Sequence, residues 1–489
     1  MLRISALLCA AFLLTAASPP SPSPQASPDL GAREWLAGDH HVHSEFSAGW
    51  QTDPGHPRSL PKPVLGGDSR HTIRRNAEMA RRFDLDWMVS TDHGGPGHSA
   101  LQYRLGWPAL EDVRKDFPEL MLFYGLEFDT PGGEHASLVM PMGPDEREDL
   151  RRIEAGFAER DAWPTDAARD TKPKMLEALR FMAGLNRPPV LLANHPSRTA
   201  TGKGIWGLHD PQEFRAWMDA APKVAVGMEG APGHQAAHPA PGADKAHGSR
   251  GLYGGYPTMG GFDQMTATLG GAWDAMLAEG RHWWITIGSD SHGHYSEGGA
   301  DFWPGEYART WVHARRNAAD LLDGLRNGRM FVTTGNLVTG LSLALSHRDG
   351  TREAVELGDT VSLAPGERAT MTLRLRLPGR AGSAARRGSL HHVDVILGSV
   401  RAGAPDSHVA KRFVLSEKQV NRGEVVVDFP LPPASTPYYI RLRGTNTGEG
   451  EPALDTEGED PDADRWFYSN PVWIKRNSSP GAGPAIVPR

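Results

Sequence analysis

His41 and His43 stand two residues apart in the run Gly38-Asp39-His40-His41-Val42-His43-Ser44. On a strand, alternate side chains share a face, so Asp39, His41 and His43 point one way and His40 and Val42 the other. Two imidazoles on one face can bind a single metal ion, with Asp39 placed to support one of them from behind. A His-x-His pair alone carries little information. Later apolar runs, however, lead into residues of the same kind: Ser90-Thr91-Asp92-His93, Tyr124-Gly125-Leu126-Glu127 with His135 close behind, Ala193-Asn194-His195-Pro196, and Gly288-Ser289-Asp290-Ser291-His292. Singly, such a His reads as a hydrogen-bonded loop residue and such an Asp as a helix cap. Together, His41, His43, His93, Glu127, His135, His195, Asp290 and His292 would be a costly concentration of polar groups unless cations bind among them. Asp92 is a candidate for a supporting or substrate-contacting role beside them.

The elements that must position these residues are alternating strands and helices. Trp87–Ser90, Leu120–Phe123, Val190–Ala193, Lys223–Val226 and Trp283–Ile287 read as buried strands. Helical patterns lie between several of them, over His71–Phe83, Lys174–Asn186, Pro211–Ala220 and Met265–Glu279. That alternation indicates a parallel sheet or a β/α barrel. The length of the region 34–340 favours the barrel, whose strand ends converge on one mouth. From 341 to 475 the texture changes. Thr370–Leu377, His392–Leu397, Glu424–Phe429 and Tyr438–Arg443 alternate in polarity between Gly/Pro turns, without helices, as in an antiparallel β-sandwich. The expected architecture is therefore α/β, a distorted TIM-like β/α barrel followed by an all-β sandwich-like domain. The acidic run Glu449–Asp464 lacks EF-hand spacing and reads as a solvated loop, and the Pro/Gly/Ser tail 476–489 as disordered.

In this combination of motifs the chain resembles the polymerase-and-histidinol-phosphatase (PHP) family over about residues 35–340. The resemblance rests on His41-Val42-His43-Ser44, Thr91-Asp92-His93, Gly125-Leu126-Glu127, His135, Asn194-His195-Pro196 and Ser289-Asp290-Ser291-His292. Exported members with a trailing β-domain, including the carbaryl-hydrolase-like metallohydrolases, look most similar; Tyr438-Tyr439-Ile440-Arg441 and Ser469-Asn470-Pro471-Val472-Trp473 add to that likeness. The resemblance implies a distorted barrel holding two or three divalent metals. His41, His43, Glu127 and Asp290 would surround one, Glu127 would bridge to a second held by His135 and His195, and His93 and His292 would belong to a third. The chain departs from the family at the third site. Many members carry an Asp after the Ser-containing turn, where Phe46-Ser47-Ala48-Gly49 has Ala48. Two metals are therefore expected ahead of three, with Glu45 or Asp53 as replacements that the spacing does not require. An amidohydrolase-type barrel also begins with His-x-His, but it fits the Thr-Asp-His and Asp-x-His motifs less well.

The Asp/His/Glu donor mix favours zinc, manganese or iron over magnesium alone. Paired divalent ions can deprotonate water near neutral pH and polarise the bond under attack. No Gly-x-Ser-x-Gly elbow suggests a covalent intermediate. The expected function is metal-dependent hydrolysis of a small-molecule ester, with a phosphoesterase first. Cleavage of a carbamate, amide or carboxylic ester at the same site is the alternative, and a non-catalytic binding protein with structural metals the third reading. Arg198 and Lys203, soon after His195, are candidates for holding a phosphate. Gly94–His98 reads as a turn and only weakly as an anion cradle. The segment Gly230–Phe262, with His234, His238, His247, Tyr253 and Tyr256, fits a substrate-contacting loop and a plain exposed loop equally well.

A net charge of −7 and the lack of any basic run argue against nucleic-acid binding. Residues 1–17 read as a secretory signal, with Arg3, the apolar stretch Ile4–Leu14 and Thr15-Ala16-Ala17, followed by a Pro/Ser-rich linker over 18–33. A secreted or periplasmic location is expected. The only cysteine, Cys9, lies inside that signal, so the mature chain would have neither disulfides nor thiol chemistry. No window is apolar enough for a transmembrane anchor.

Overall fold

The computed structural model describes residues 31–233, 250, 253–379 and 389–477. The expected signal, nearly all of the linker and tail, and His234, His238 and His247 lie outside them. In chain order the strands up to Thr334 are β1 (Glu34–Val42), β2 (Gly49–Gln51), β3 (Lys62–Val64), β4 (Trp87–Ser90), β5 (Met121–Asp129), β6 (His135–Val139), β7 (Val190–Ala193), β8 (Ala225–Ala231), β9 (Trp284–Ile287), β10 (Ala308–Ala314) and β11 (Met330–Thr334). All but the small β2–β3 hairpin join one large mixed sheet in a mixed α/β fold. β1, β4 and β5 run parallel, as do β7, β8 and β9. β6 lies antiparallel between β5 and β7, and β10 and β11 extend the far side of β1 antiparallel. Every residue of β4, β7 and β9 is buried, so these strands read in sequence as unbroken apolar runs rather than alternations.

Helices fall where their caps lie. Thr72, Thr171 and Asp210 accept backbone N–H groups at the starts of the helices Ile73–Arg82, Lys172–Ala183 and Pro211–Ala220. The expected helix over Met265–Glu279 is instead two short ones, Gln264–Ala267 and Ala272–Ala278. Gly270, at φ 73°, turns the chain between them. β5 is also longer than its apolar half Leu120–Phe123 suggests, so Glu127 sits inside the strand, paired with Ser137 of β6, and not past its end.

Backbone pairing does not close this sheet into a barrel. Among the described residues β9 has one strand partner, β8. Buried backbone groups need hydrogen-bond partners, and two side chains supply them along the other edge of β9. Thr310 Oγ1 accepts from Ile287 N at 2.8 Å and donates to Ile287 O at 2.9 Å. Asn470 accepts from Ile285 N at 2.9 Å and donates to Ile285 O at 3.2 Å. Just beyond β9, backbone contact with β1 resumes, with Asp290 N donating to His41 O at 2.9 Å and His43 N to Ser291 O at 3.1 Å.

The remaining strands are β12 (Gly340–His347), β13 (Arg352–Val355), β14 (Thr360–Leu363), β15 (Ala369–Arg376), β16 (His392–Ser399), β17 (His408–Val414), β18 (Glu424–Pro430), β19 (Tyr438–Thr445), β20 (Trp466–Ser469) and β21 (Val472–Arg476). β20 pairs antiparallel with β11, so the large sheet continues through β20, β19, β21 and β14, with β16 and β17 branching from β19. β13, β12, β15 and β18 form a second, antiparallel sheet. Leu343, Leu373 and Val427 of the second sheet and Val395, Ile440 and Val472 of the first line a common apolar space. No helix among the described residues is long and apolar enough to cross a membrane.

Asp274, on the helix Ala272–Ala278, is clasped by Arg441 of β19 through two bonds of 2.8 Å and by Tyr439 Oη at 2.9 Å. Both members of the ion pair are 1% exposed. Removing one partner of such a pair leaves the other charge buried without compensation, at a cost of about 3–5 kcal/mol. Asp274→Ala is expected to lower the unfolding free energy by that amount in urea titrations; a loss under about 1 kcal/mol would mean that water reaches Arg441.

Candidate metal centre

β1, β5, β6 and β7, with the turn after β9, bring the sequence candidates together. His41 Nε2 lies 3.1 Å from both Glu127 Oε1 and Asp290 Oδ1. His43 Nε2 lies 3.0 Å from Asp290 Oδ1 and 3.4 Å from Glu127 Oε2. Glu127 Oε1 is also 3.0 Å from His135 Nδ1 and 3.0 Å from His195 Nε2. Two groups result, His41/His43/Glu127/Asp290 and Glu127/His135/His195, each with its donor atoms within 4.8 Å of one another and Glu127 shared. His43, His93 and His292 form a third such group, in which the rings of His43 and His292 stack at 3.7 Å.

The third group has a carboxylate that sequence reading missed. Asp68 Oδ2 lies 2.5 Å from His93 Nε2 and 3.4 Å from His292 Nε2. Those two rings hold its carboxyl well below the ordinary range. The residues considered in its place do other work. Ala48 is buried, Glu45 accepts the backbone N–H of Ile73 at 3.2 Å, and Asp53 bonds its own turn at Gly55 and His56. Asp68 follows the β2–β3 hairpin, so its approach to His93 is set by where that hairpin folds back, and no spacing signal marks it.

Further polar groups orient the rings from outside. Glu229 Oε1 lies 2.8 Å from His41 Nδ1, the supporting role expected of Asp39, while Glu229 Oε2 accepts His195 N at 2.7 Å. Asp39 instead accepts the backbone N–H groups of His41 and Ser289, because a register shift between Asp39 and Val42 interrupts the regular pleat of β1. Asp129 Oδ1 backs His135 Nε2 at 3.3 Å, and Ser47 Oγ backs His43 Nδ1 at 2.8 Å. Asp92 lies behind Ser47, which donates to it at 3.1 Å, and also receives Ser44 and Gln102. It supports His43 at one remove and does not line the cleft.

Burial and charge leave this set fit to receive cations. Burial pulls the His43 pKa down to about 3, so the ring is neutral, as a ligand must be. Burial pushes the Glu127 carboxyl up, but the His135 and His41 rings reverse this and leave it well below the ordinary range. Burial pulls the His41 and His135 rings down too, but the carboxylates around them outweigh it and raise both, so a cation entering there would displace their protons and meet the imidazole and carboxylate donors that suit zinc, manganese or iron. His195 and Asp290 adopt φ of 29° and 49°, a left-handed backbone that costs non-glycine residues energy and gathers at functional sites.

The centre opens into a cleft of about 390 Å³ lined by His93, Glu127, His135, Asp290 and His292, with Asp68, Arg70 and Arg198 at its rim. Arg198 pairs with Glu134 at 2.5 Å. Arg70 was not expected, whereas Lys203 is exposed and does not line the cleft. No Trp or Tyr lines it among the described residues. Gly94–His98 is a turn packed under Trp50 and Leu60, and its Gly97 and His98 N–H groups are bonded to Asp161 O and Gly95 O. The acidic run brings Asp455, Glu459 and Asp464 together around the guanidinium of Arg250, which lies 3.1 Å from Glu459 and bonds Asp464, so a side chain supplies the positive charge there.

A scan against protein-family models and a search of curated proteins find no match to this chain. The reading of the centre therefore rests on its own geometry.

Behind the Asp92 web, buried His98 lies 2.5 Å from Glu154 Oε1 through Nδ1 and 3.0 Å from Phe46 O through Nε2. Burial pulls its pKa down, but the Glu154 carboxylate outweighs burial and holds it up at about 9. A folded pKa above the unfolded value of about 6.5 stabilises the fold fully below that pH, and the stabilisation is lost as pH rises through the folded value. His98→Gln is expected to depress the melting temperature at about pH 6, with the gap to wild type closing towards about pH 10. A gap independent of pH would mean that the ring is neutral in the folded chain.

Proposed function

We propose that this chain is a metal-dependent hydrolase of the polymerase-and-histidinol-phosphatase type that cleaves small phosphate esters. The distorted barrel with a trailing β-domain belongs to the same reading. It is supported by the mixed sheet whose seam at β9 is sealed by Thr310 and Asn470. The observation that carries the substrate class is the cleft itself, where Arg70 and Arg198 line the same space as the His/Glu/Asp cluster and no Trp, Tyr or Phe among the described residues does. Guanidinium groups match phosphate oxygens in charge and geometry, whereas a carbamate or carboxylic ester would be better served by an apolar pocket.

His41, His43, Glu127 and Asp290 would hold one divalent ion and Glu127, His135 and His195 a second, with zinc, manganese or iron as the candidates. A third would lie among His43, His93, His292 and Asp68. Such ions supply Lewis acidity and lower the pKa of a coordinated water. The protein's own groups do the rest. Glu229, Asp129 and Ser47 fix the directions of the His41, His135 and His43 rings. Arg198 and Arg70 would draw in the anionic group and orient it towards the cluster.

The test is hydrolysis of chromogenic phosphomonoesters, phosphodiesters, carboxylic esters and carbamates by protein loaded with manganese or zinc. Phosphate turnover that needs the cation and vanishes in His43→Ala is expected. Arg198→Ala should raise KM for phosphate esters about 10- to 100-fold, the equivalent of one charge-assisted hydrogen bond of ~1.5–3 kcal/mol. Turnover confined to carbon esters would replace this reading with the carbamate or carboxylic ester hydrolase. Silence from cation-loaded protein on every substrate would favour the binding-protein reading.

A further inference from the structure

We propose that Asp263 is a positioning residue that holds the turn His195–Arg198 in its working shape, and so sets both a ligand of the second cation and a cation of the cleft rim. The inference rests on the metallohydrolase reading above.

His195 has a φ of 29°, and Arg198 N closes the turn on His195 O at 3.0 Å. A backbone in that region persists only where its surroundings over-determine it. Asp263, fully buried, supplies much of that determination. Its Oδ2 accepts Ser197 N at 2.9 Å and Tyr253 Oη at 2.7 Å, while its Oδ1 accepts Ser197 Oγ at 2.8 Å and Met265 N at 2.7 Å. Tyr253 Oη also accepts Ser197 N at 2.9 Å. Asp263 is itself tied to the end of β8, where Asp263 N donates to Gly230 O at 2.9 Å, next to the Glu229 that accepts His195 N. Two carboxylates at this strand end thus grip the turn at His195 and again at Ser197.

The far side of the turn is fitted as closely. Gly255 N donates to Arg198 O at 3.2 Å, and at Gly254, φ 45°, an added Cβ would come within 1.9 Å of that oxygen. The turn is therefore clamped between Asp263, Tyr253 and Gly254–Gly255. From it His195 presents Nε2 to Glu127, and Arg198 reaches the cleft beside Glu134. Among the described residues the hydrogen bonds of the Asp263 side chain and N–H go to Ser197, Tyr253, Met265 and Gly230, and to none of His41, His43 and Asp290. Its loss is accordingly expected to act on one cation and on substrate capture, and to leave the first cation group intact.

Asp263→Asn keeps the shape of the side chain but replaces one acceptor oxygen with a donor. That change opposes the donor groups of Ser197 N and Tyr253 Oη or those of Ser197 Oγ and Met265 N, whichever way the amide turns. The full chain, loaded with manganese, is dialysed against rising chelator while bound metal is counted by elemental analysis, and KM is measured for a phosphate ester. The variant should release one cation at about 10- to 100-fold lower chelator concentration than wild type, the usual scale for lost ligand support. Its remaining cations should stay, and KM should rise several-fold. Tyr253→Phe, which removes a single hydroxyl, should show a smaller shift of the same cation, and it carries the test if Asp263→Asn does not fold. Folded variants that hold every cation as wild type does, or that lose all cations together, would overturn the proposal alone. A wild-type chain that takes up no divalent cation would overturn the hydrolase reading and the proposal with it.

Discussion

Glu127 carries its carboxylate to the point where His41, His43, His135 and His195 meet, in a place only 2% exposed to water. A buried charge must be met by partners or by cations, and much of the surrounding structure can be understood as that compensation. Its position inside β5 places Glu127 opposite Ser137, so the same hairpin returns His135 to its side. Asn194, at the end of β7, donates to Glu127 at 3.0 Å while accepting Ser137 N and Oγ. One carboxylate therefore ties three neighbouring strands to a single centre.

Outside the imidazoles lies a second layer of opposite character. Glu229, Asp129 and the Asp92–Ser47 pair stand behind His41, His135 and His43. This alternation of carboxylate, imidazole and carboxylate fixes ring directions, and it gives the buried carboxylates hydrogen-bond partners. The same economy appears at the seam beside β9. There Thr310 and Asn470 satisfy backbone groups that a paired strand would otherwise have met. Asn470 comes from the turn between β20 and β21, so the C-terminal strands help complete the wall that carries Asp290.

Cleft polarity comes from excursions off the sheet. The chain from the end of β1 through the β2–β3 hairpin returns as Asp68, Ser69 and Arg70, placing a carboxylate beside His93 and a guanidinium at the rim. The turn after β7 supplies Arg198 on the same cleft. The sheet thus provides the buried ligands, and the segments between its strands provide the less buried charges that line the cleft.

What could be read along the chain was whatever local pattern encodes. Buried strands such as Val190–Ala193 declare themselves because both their faces must be apolar, and the ligands stand out because polar residues at the ends of such runs are costly without a purpose. All eight metal-ligand candidates meet in the three groups. Residues whose role depends on distant partners could not be read in this way. Asp68, Arg70 and Asp263 have no distinguishing spacing, and Glu229, though it ends the apolar run from Lys223, acquires its role only from His41 far along the chain. Lys203 and Arg198 looked equivalent in sequence, and only folding turned one to the cleft and the other to solvent. The seam at β9 belongs to the same class, since side chains from positions 310 and 470 do what strand pairing would have done. Local composition settles which segments are buried and which residues are able to bind a cation. Long-range packing alone decides which charges meet, because that depends on where separate strands and turns come to rest.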